Sequence, residues 1–277
     1  MIPQVLGNRA SEADRWASLP ERGTPLSLRA IAWIAIHIGR WGARLLLYPI
    51  TLYFVITAHA ARRTSYEYLK RLRGEPVHWW HVFHHFHCFA ATILDRVYLL
   101  RGEFERFRVT VHGKEILHRQ IESKVLMDAE HNQNITHFFD ALNPTLAGTV
   151  IAPDRLDTLI RVKENLDAGC FIGMLGDRVS GGDKATQCEF LSAHATFPAG
   201  PVLVAGTMRC PVILFFGLYR GGNSYEIHFE HFADEIILDR NHRARDIQLW
   251  MQRYAQRLEH YARLAPYNWF NFYPFWD

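Results

Sequence analysis

One stretch narrows what this chain can become: Leu45–Ala58, LLLYPITLYFVITA, carries no charge. It is short for a helix that crosses a bilayer, which takes about 20 residues. The residues before it extend it. Ile31–Ile38 is apolar except for His37, and Arg40 and Arg44 follow. His37, Arg40 and Arg44 recur at helical spacing and share one face, which Trp33 joins. Two placements fit: a tilted spanning helix whose long basic side chains snorkel, or a first half lying flat in the interface. A third is a hairpin of two core helices broken near Gly42 or Pro49. The expectation is a polar segment over residues 1–27 and a membrane anchor helix over 28–60. The polar start speaks against a cleaved signal peptide. Arg62, Arg63, Lys70, Arg71 and Arg73 then stand against one acid, Glu67, which puts this side toward the cytoplasm.

Composition bounds the remainder. Apolar residues make up 49% and charged residues 21%, so a sizeable core is affordable. A formal charge of +3 is too mild to imply nucleic acid and suits an anionic lipid surface. Aromatics reach 13%, and many sit near the apolar segment and in the C-terminal tail. Cys88, Cys170, Cys188 and Cys210 show no CxxC spacing, so reduced, buried thiols are expected.

Residues 61–88 read as a basic, His-rich interfacial connector, and 89–277 as a cytosolic domain. Its pattern alternates. Helices are expected at Phe89–Leu100, Ile116–Ser123, Ile135–Leu142, Arg155–Ala168, Gly200–Met208 and Arg243–Leu264. Strands are expected at Phe107–Val111, Val125–Met127, Thr149–Ala152, Cys170–Leu175, Pro211–Tyr219 and Tyr225–Glu230, with Gly176–Gln187 a loop. Such alternation predicts an α/β domain with a mainly parallel sheet flanked by helices.

Three places could carry chemistry. His78–Cys88, HWWHVFHHFHC, matches no zinc signature and holds no carboxylate, so it reads as an interfacial connector and no metal site is expected. Gly176-Asp177-Arg178 follows an expected buried strand, where the loops of a parallel sheet form the ligand crevice. Asp177 and Arg178 are therefore candidate substrate-binding residues, with a turn salt bridge as the alternative. Gly200, between Ala199 and Pro201, opens a helix whose N-terminus can meet an anion, or it is a plain turn. There is no GxSxG elbow, P-loop or GxGxxG, and no cofactor is expected.

Taken together, WGARLLLYPITLYFVITAHAARRTSYEYLKRLRG, the run from FIGMLGDRVSGG to HFEHFAD, and the tail APYNWFNFYPFW resemble the late acyltransferases of lipid A biosynthesis, within the lysophospholipid acyltransferase superfamily. The resemblance spans about Leu28 to Trp276. It implies a glycerolipid-acyltransferase-like domain on the cytoplasmic face of a bacterial inner membrane, held by one N-terminal helix. It also implies transfer of a fatty acyl group from acyl carrier protein or a coenzyme A thioester to a hydroxyl of a membrane lipid. YRGGN and HFEHFAD look closest to a side branch, so the acceptor need not be lipid A. In that setting Arg178 would hold a phosphate or phosphopantetheine group. Arg101, Arg106, Arg108, Lys114, Arg119 and Lys124 would offer a face to acidic acyl carrier protein.

The family's His-x4-Asp/Glu box is missing. A histidine general base takes the hydroxyl proton, and a carboxylate five residues on orients it. None of the sixteen histidines has an acid at that position. His118 with Glu122 and His242 with Asp246 look like helix-surface pairs, and Asp128, Glu130 and His131 are a makeshift set at best. No catalytic residue is therefore assigned. Lys124 runs directly into Val125, where a strand, the box loop and a helix of roughly 25–30 residues would belong. The sheet is expected to lack that unit, to leave unpaired edges and exposed apolar surface, and to be poorly formed or rearranged near Lys124. The alternative is an inactive paralogue or deletion variant that binds lipid or a partner.

Overall fold

The computed structural model describes residues 25–116, 123–126, 150–151, 157–179 and 184–276. Helix α1 spans Pro25–Thr57 and is broken at Gly39, whose φ of 79° leaves the helical region. A 95° bend separates Gly39–Thr57 from α2, His59–Arg73. Gly74, in the left-handed conformation, closes α2 with its N–H on the Lys70 carbonyl. Helix α3 follows at Trp79–Leu100. The expected connector over 61–88 is therefore two helices. Tyr68, Leu69 and Leu72 of α2, and His81, His85 and Phe86 of α3, are buried, and both imidazoles are tolerated there because each is hydrogen-bonded.

The remaining elements are β1 (Arg108–His112), β2 (Ser123–Leu126), β3 (Val150–Ile151), α4 (Thr158–Asp167), β4 (Phe171–Gly173), β5 (Ala185–Phe190), β6 (Ala193–Pro198), α5 (Gly200–Met208), β7 (Val212–Gly221), β8 (Ser224–Ala233) and α6 (Arg243–Leu264). The α/β class holds, but the single, mainly parallel sheet does not. Strand order is β1-β8-β7 in one sheet and β3-β2-β4 in a second, with β5-β6 a separate hairpin. β1 runs parallel to β8, and β2 runs parallel to both β3 and β4. The longest ladder, β7 with β8, is antiparallel. A tight turn joins those strands, so they pair directly without a crossover helix.

Lys124 and Val125 lie in β2, the middle strand of its sheet, with Ser123 opposite Phe171 and Val125 opposite Val150. The unpaired edge expected there is instead an occupied central position. The expected helix Ile116–Ser123 is a 3-10 turn at Lys114–Ile116 and strand at Ser123, its middle lying outside the described residues. The expected helix Ile135–Leu142 also lies outside them. Part of the expected loop Gly176–Gln187 is β5.

The main core joins α2, α3, β5, β6, α6 and the tail through Tyr68, Phe86, Phe190, Phe197, Met251 and Trp269. Burying each large side chain contributes roughly 1.5–3 kcal/mol. A second core sets Ala43 and Leu47 of α1 against Ala91 and Leu94 of α3, Phe107 and Tyr219. The residues after α6 have little regular structure but are well packed. The Tyr68 hydroxyl donates to the Pro266 carbonyl, and the Trp276 indole donates to the Phe190 carbonyl.

Candidate functional site

The site begins with how the apolar helix meets the rest of the chain. Arg40 and Arg44 do not snorkel. They converge on Asp95 of α3, which is fully buried. Arg40 binds its carboxylate with two donors, at 2.9 and 3.0 Å, and Arg44 donates at 2.7 Å. The Tyr225 hydroxyl adds a fourth donor at 2.8 Å. Arg40 also donates to the Gly222 carbonyl and Arg44 to the Tyr219 hydroxyl. The guanidiniums stack at 5.3 Å over Phe107 and Tyr219, respectively. Two cations around one buried anion hold α1 to α3 and to the β7–β8 hairpin.

Beyond Arg44, α1 carries no charged residue. Ala43, Leu47, Thr51 and Val55 form the inner row and are buried. Trp41, Leu45, Tyr48, Leu52 and Ile56 form an outer row and are exposed, Trp41 by 91%. Trp79 and Trp80, at the start of α3, are exposed as well. Contiguous apolar surface of this kind marks a membrane or partner interface. Among the described residues no single helix is long and apolar enough to cross a membrane; Gly39–Thr57 and His59–Arg73 reach that length and composition only as a bent pair.

The histidines of α3 are structural. His85 is fully buried, bonded at 2.8 Å to the Ser65 hydroxyl and at 2.9 Å to the Trp269 carbonyl. Burial pulls its pKa down to about 4, so it is a neutral imidazole at neutral pH. His81 bonds the Tyr267 hydroxyl at 2.6 Å and stacks on Trp80. The His87 ring lies tilted against Tyr48 of α1, 4.6 Å between centroids. All four cysteines are free, with Cys88 and Cys188 buried and Cys170 and Cys210 half-buried. Desolvation pushes the buried pair up to about 11, which makes them poor nucleophiles.

Asp177 is tied to the tail. Its carboxylate accepts the Trp269 indole N–H at 2.9 Å, and its carbonyl accepts the Tyr273 hydroxyl at 3.2 Å. Gly176 is needed for this approach, since a Cβ there would lie 2.7 Å from the Tyr254 ring. Arg178 is exposed and, among the described residues, has no carboxylate partner. Gly200 opens α5 three residues after Phe197, which shares the aromatic core with Tyr254 and Phe275. No hydrogen bond joins Gly200 to Asp177 or Arg178 among the described residues, so the three candidates do not form one polar cluster.

The other candidates are placed as follows. His242 bonds Asp239 at 3.5 Å, not Asp246, whose carboxylate accepts the Asp239 N–H at 2.8 Å. His118, Arg119, Glu122, Asp128, Glu130 and His131 lie outside the described residues. Arg101 and Arg106 both pair with Glu103, so part of the proposed basic face is neutralised. An open groove of about 370 Å³, lined by residues including Glu189, Gln252, Glu259 and His260, lies on the β5–α6 side. Neither Asp177 nor Arg178 lines it.

No protein-family model matches the chain, and no curated protein matches it. Its function therefore rests on its own residues.

Proposed function

We propose that this chain is built as a membrane-lipid acyltransferase working at the cytoplasmic leaflet of a bacterial inner membrane, and that it lacks its general base. In the reaction an acceptor hydroxyl oxygen attacks the thioester carbonyl of acyl carrier protein or coenzyme A. The C–S bond breaks, an ester C–O bond forms, and the hydroxyl proton ends on the departing thiol. Without a His-acid box the proton transfer has no catalyst, and general-base catalysis is worth about 10²–10⁴-fold.

The observation that carries the membrane side of this reading is the outer row of α1, Trp41, Leu45, Tyr48, Leu52 and Ile56, which is exposed among the described residues. The Arg40–Asp95–Arg44 cluster couples that row rigidly to the domain, so lipid contact fixes the domain's orientation.

The test pairs two proteins in vesicles of phosphatidylethanolamine and phosphatidylglycerol. One is the chain as it stands. The other carries a strand–loop–helix insert with His-x4-Asp between Lys124 and Val125. Both are expected to float with vesicles, and labelled acyl groups to move from acyl carrier protein to lipid only in the second. A folded second protein that stays inert, or a first that does not bind vesicles, would overturn the proposal. A lipid-binding paralogue without activity is the competing reading. It is favoured by Asp177, whose carboxylate serves the tail.

A further inference from the structure

A second cluster lies on β1 and β8. His112 ends β1, and the parallel ladder sets it directly opposite His228. The two imidazoles stack at 4.5 Å with 14° between their planes. Glu226 precedes His228 by two residues, so both side chains leave the same face of β8. One ligand atom from each of His112, Glu226 and His228 falls within 4.8 Å of the other two. Ligands ~2.1 Å from a tetrahedral ion sit roughly 3.4 Å apart, so small side-chain rotations close this set on one ion.

We propose that His112, Glu226 and His228 form a binding site for a divalent transition metal of the zinc type, with three protein ligands and a position left open for an oxygen donor. The donor chemistry supports this. Two imidazole nitrogens and one carboxylate oxygen suit zinc and its neighbours, and would not select calcium or magnesium, which prefer oxygen alone. Three protein ligands are the number that zinc sites with an exchangeable position use.

The surroundings are built to hold this geometry. Gly113, next to His112, sits where an added Cβ would lie 2.1 Å from the Phe229 carbonyl oxygen. The β1–β8 separation is therefore set beside the ligands. His228 packs on the Tyr261 ring at 5.1 Å, and the Tyr261 hydroxyl is itself fixed by a 2.6 Å bond to Glu230. Glu226 Oε2 is met by Arg220 at 2.8 Å and by His228 Nε2 at 3.4 Å, which leaves Oε1 for the ion once His228 turns to the metal. A second Arg220 donor is anchored on the Leu264 carbonyl, and Arg257 is held by Glu230, so neither cation need occupy the site. The site stands apart from the acyl-transfer reading and does not depend on it.

The test is titration of the untagged full chain in detergent micelles with Co²⁺, followed by Zn²⁺ competition. A single equivalent of Co²⁺ is expected to give visible d–d absorption that Zn²⁺ abolishes. His112→Ala, at an exposed position, and Glu226→Gln are expected to weaken binding by roughly 100-fold or more. His84→Ala, in the histidine-rich α3, is expected to leave it unchanged. Circular dichroism establishes that each variant is folded. No Co²⁺ spectrum from the parent chain, or equal binding by folded His112→Ala and Glu226→Gln, would overturn the proposal. So would loss of the spectrum in His84→Ala.

Discussion

Asp95→Asn tests the joint that holds α1 to α3 and the β7–β8 hairpin. The carboxylate is fully buried and accepts from Arg40, Arg44 and Tyr225. The amide keeps the shape and one acceptor but removes the charge, leaving two guanidiniums only 14% and 17% exposed without an anion. Removing one partner of a buried ion pair costs about 3–5 kcal/mol, because the remaining charge stays desolvated. With two cations stranded the upper half of that range applies. At a Tm shift of about 2–4 °C per kcal/mol for a chain of this size, the variant should melt roughly 10 °C lower. Thermal unfolding by circular dichroism in one detergent reads the shift. Arg63→Ala is the control, because its ion pair with Glu67 is exposed and worth under about 0.5 kcal/mol. A folded Asp95→Asn that melts within 2 °C of the parent would refute the claim that this cluster holds α1.

His85 makes stability depend on pH. Its folded pKa is near 4 and its unfolded value near 6.5, so the unfolded chain binds more protons between them. Stability from the neutral imidazole is complete above about pH 6.5 and lost as pH falls toward 4, by roughly 3 kcal/mol at most. Denaturant titrations at pH 7 and 4.5 should show a steeper loss in the parent than in His85→Phe; equal slopes would count against it. Gly113→Ala should be far more damaging than Gly102→Ala. Both have positive φ, costing about 1–2 kcal/mol, but only Gly113 lacks room for a Cβ. Similar Tm values for the two would contradict the close approach to Phe229. Trp269→Phe removes the indole donor to Asp177 and should cost about 1–3 kcal/mol, with earlier proteolysis in the tail. Unchanged proteolysis would show the tail to be held without it.

Where local pattern and tertiary need agree, the chain is legible. Helix α6 repeats Ile247, Met251, Ala255, Leu258 and Ala262 at helical spacing, all buried, and its expected limits match. The hairpin β5–β6 is illegible for a physical reason. Its two-residue turn is Leu191-Ser192, both at positive φ, where glycine or asparagine is the usual signal. Buried Leu191, whose N–H donates to Glu259 at 2.7 Å, holds the turn instead. His78–Cys88 looked like a surface connector because nothing local says that its rings meet a tail nearly two hundred residues on. The candidate site was only partly legible. Asp177 stands out by its place after a strand, and the partner of its carboxylate is an indole from the distant tail. Glu226 and His228 share the two-residue spacing that places side chains on one strand face. Their third member, His112, is joined to them only by strand pairing.

The Arg40–Asp95–Arg44 cluster also has a history written along the chain. Arg40 meets Asp95 across 55 residues and the Gly222 carbonyl across 182. Synthesis proceeds at about 5–20 residues per second, so for roughly 10–40 s after Arg40 emerges its last partner does not exist. Asp95 follows Arg40 within about 3–11 s at the same rate, so the two arginines have their carboxylate well before the β7–β8 hairpin exists. The cluster is therefore assembled in two stages, a helix pair joined first through Asp95 and a β7–β8 hairpin that later closes over it through Gly222 and Tyr225.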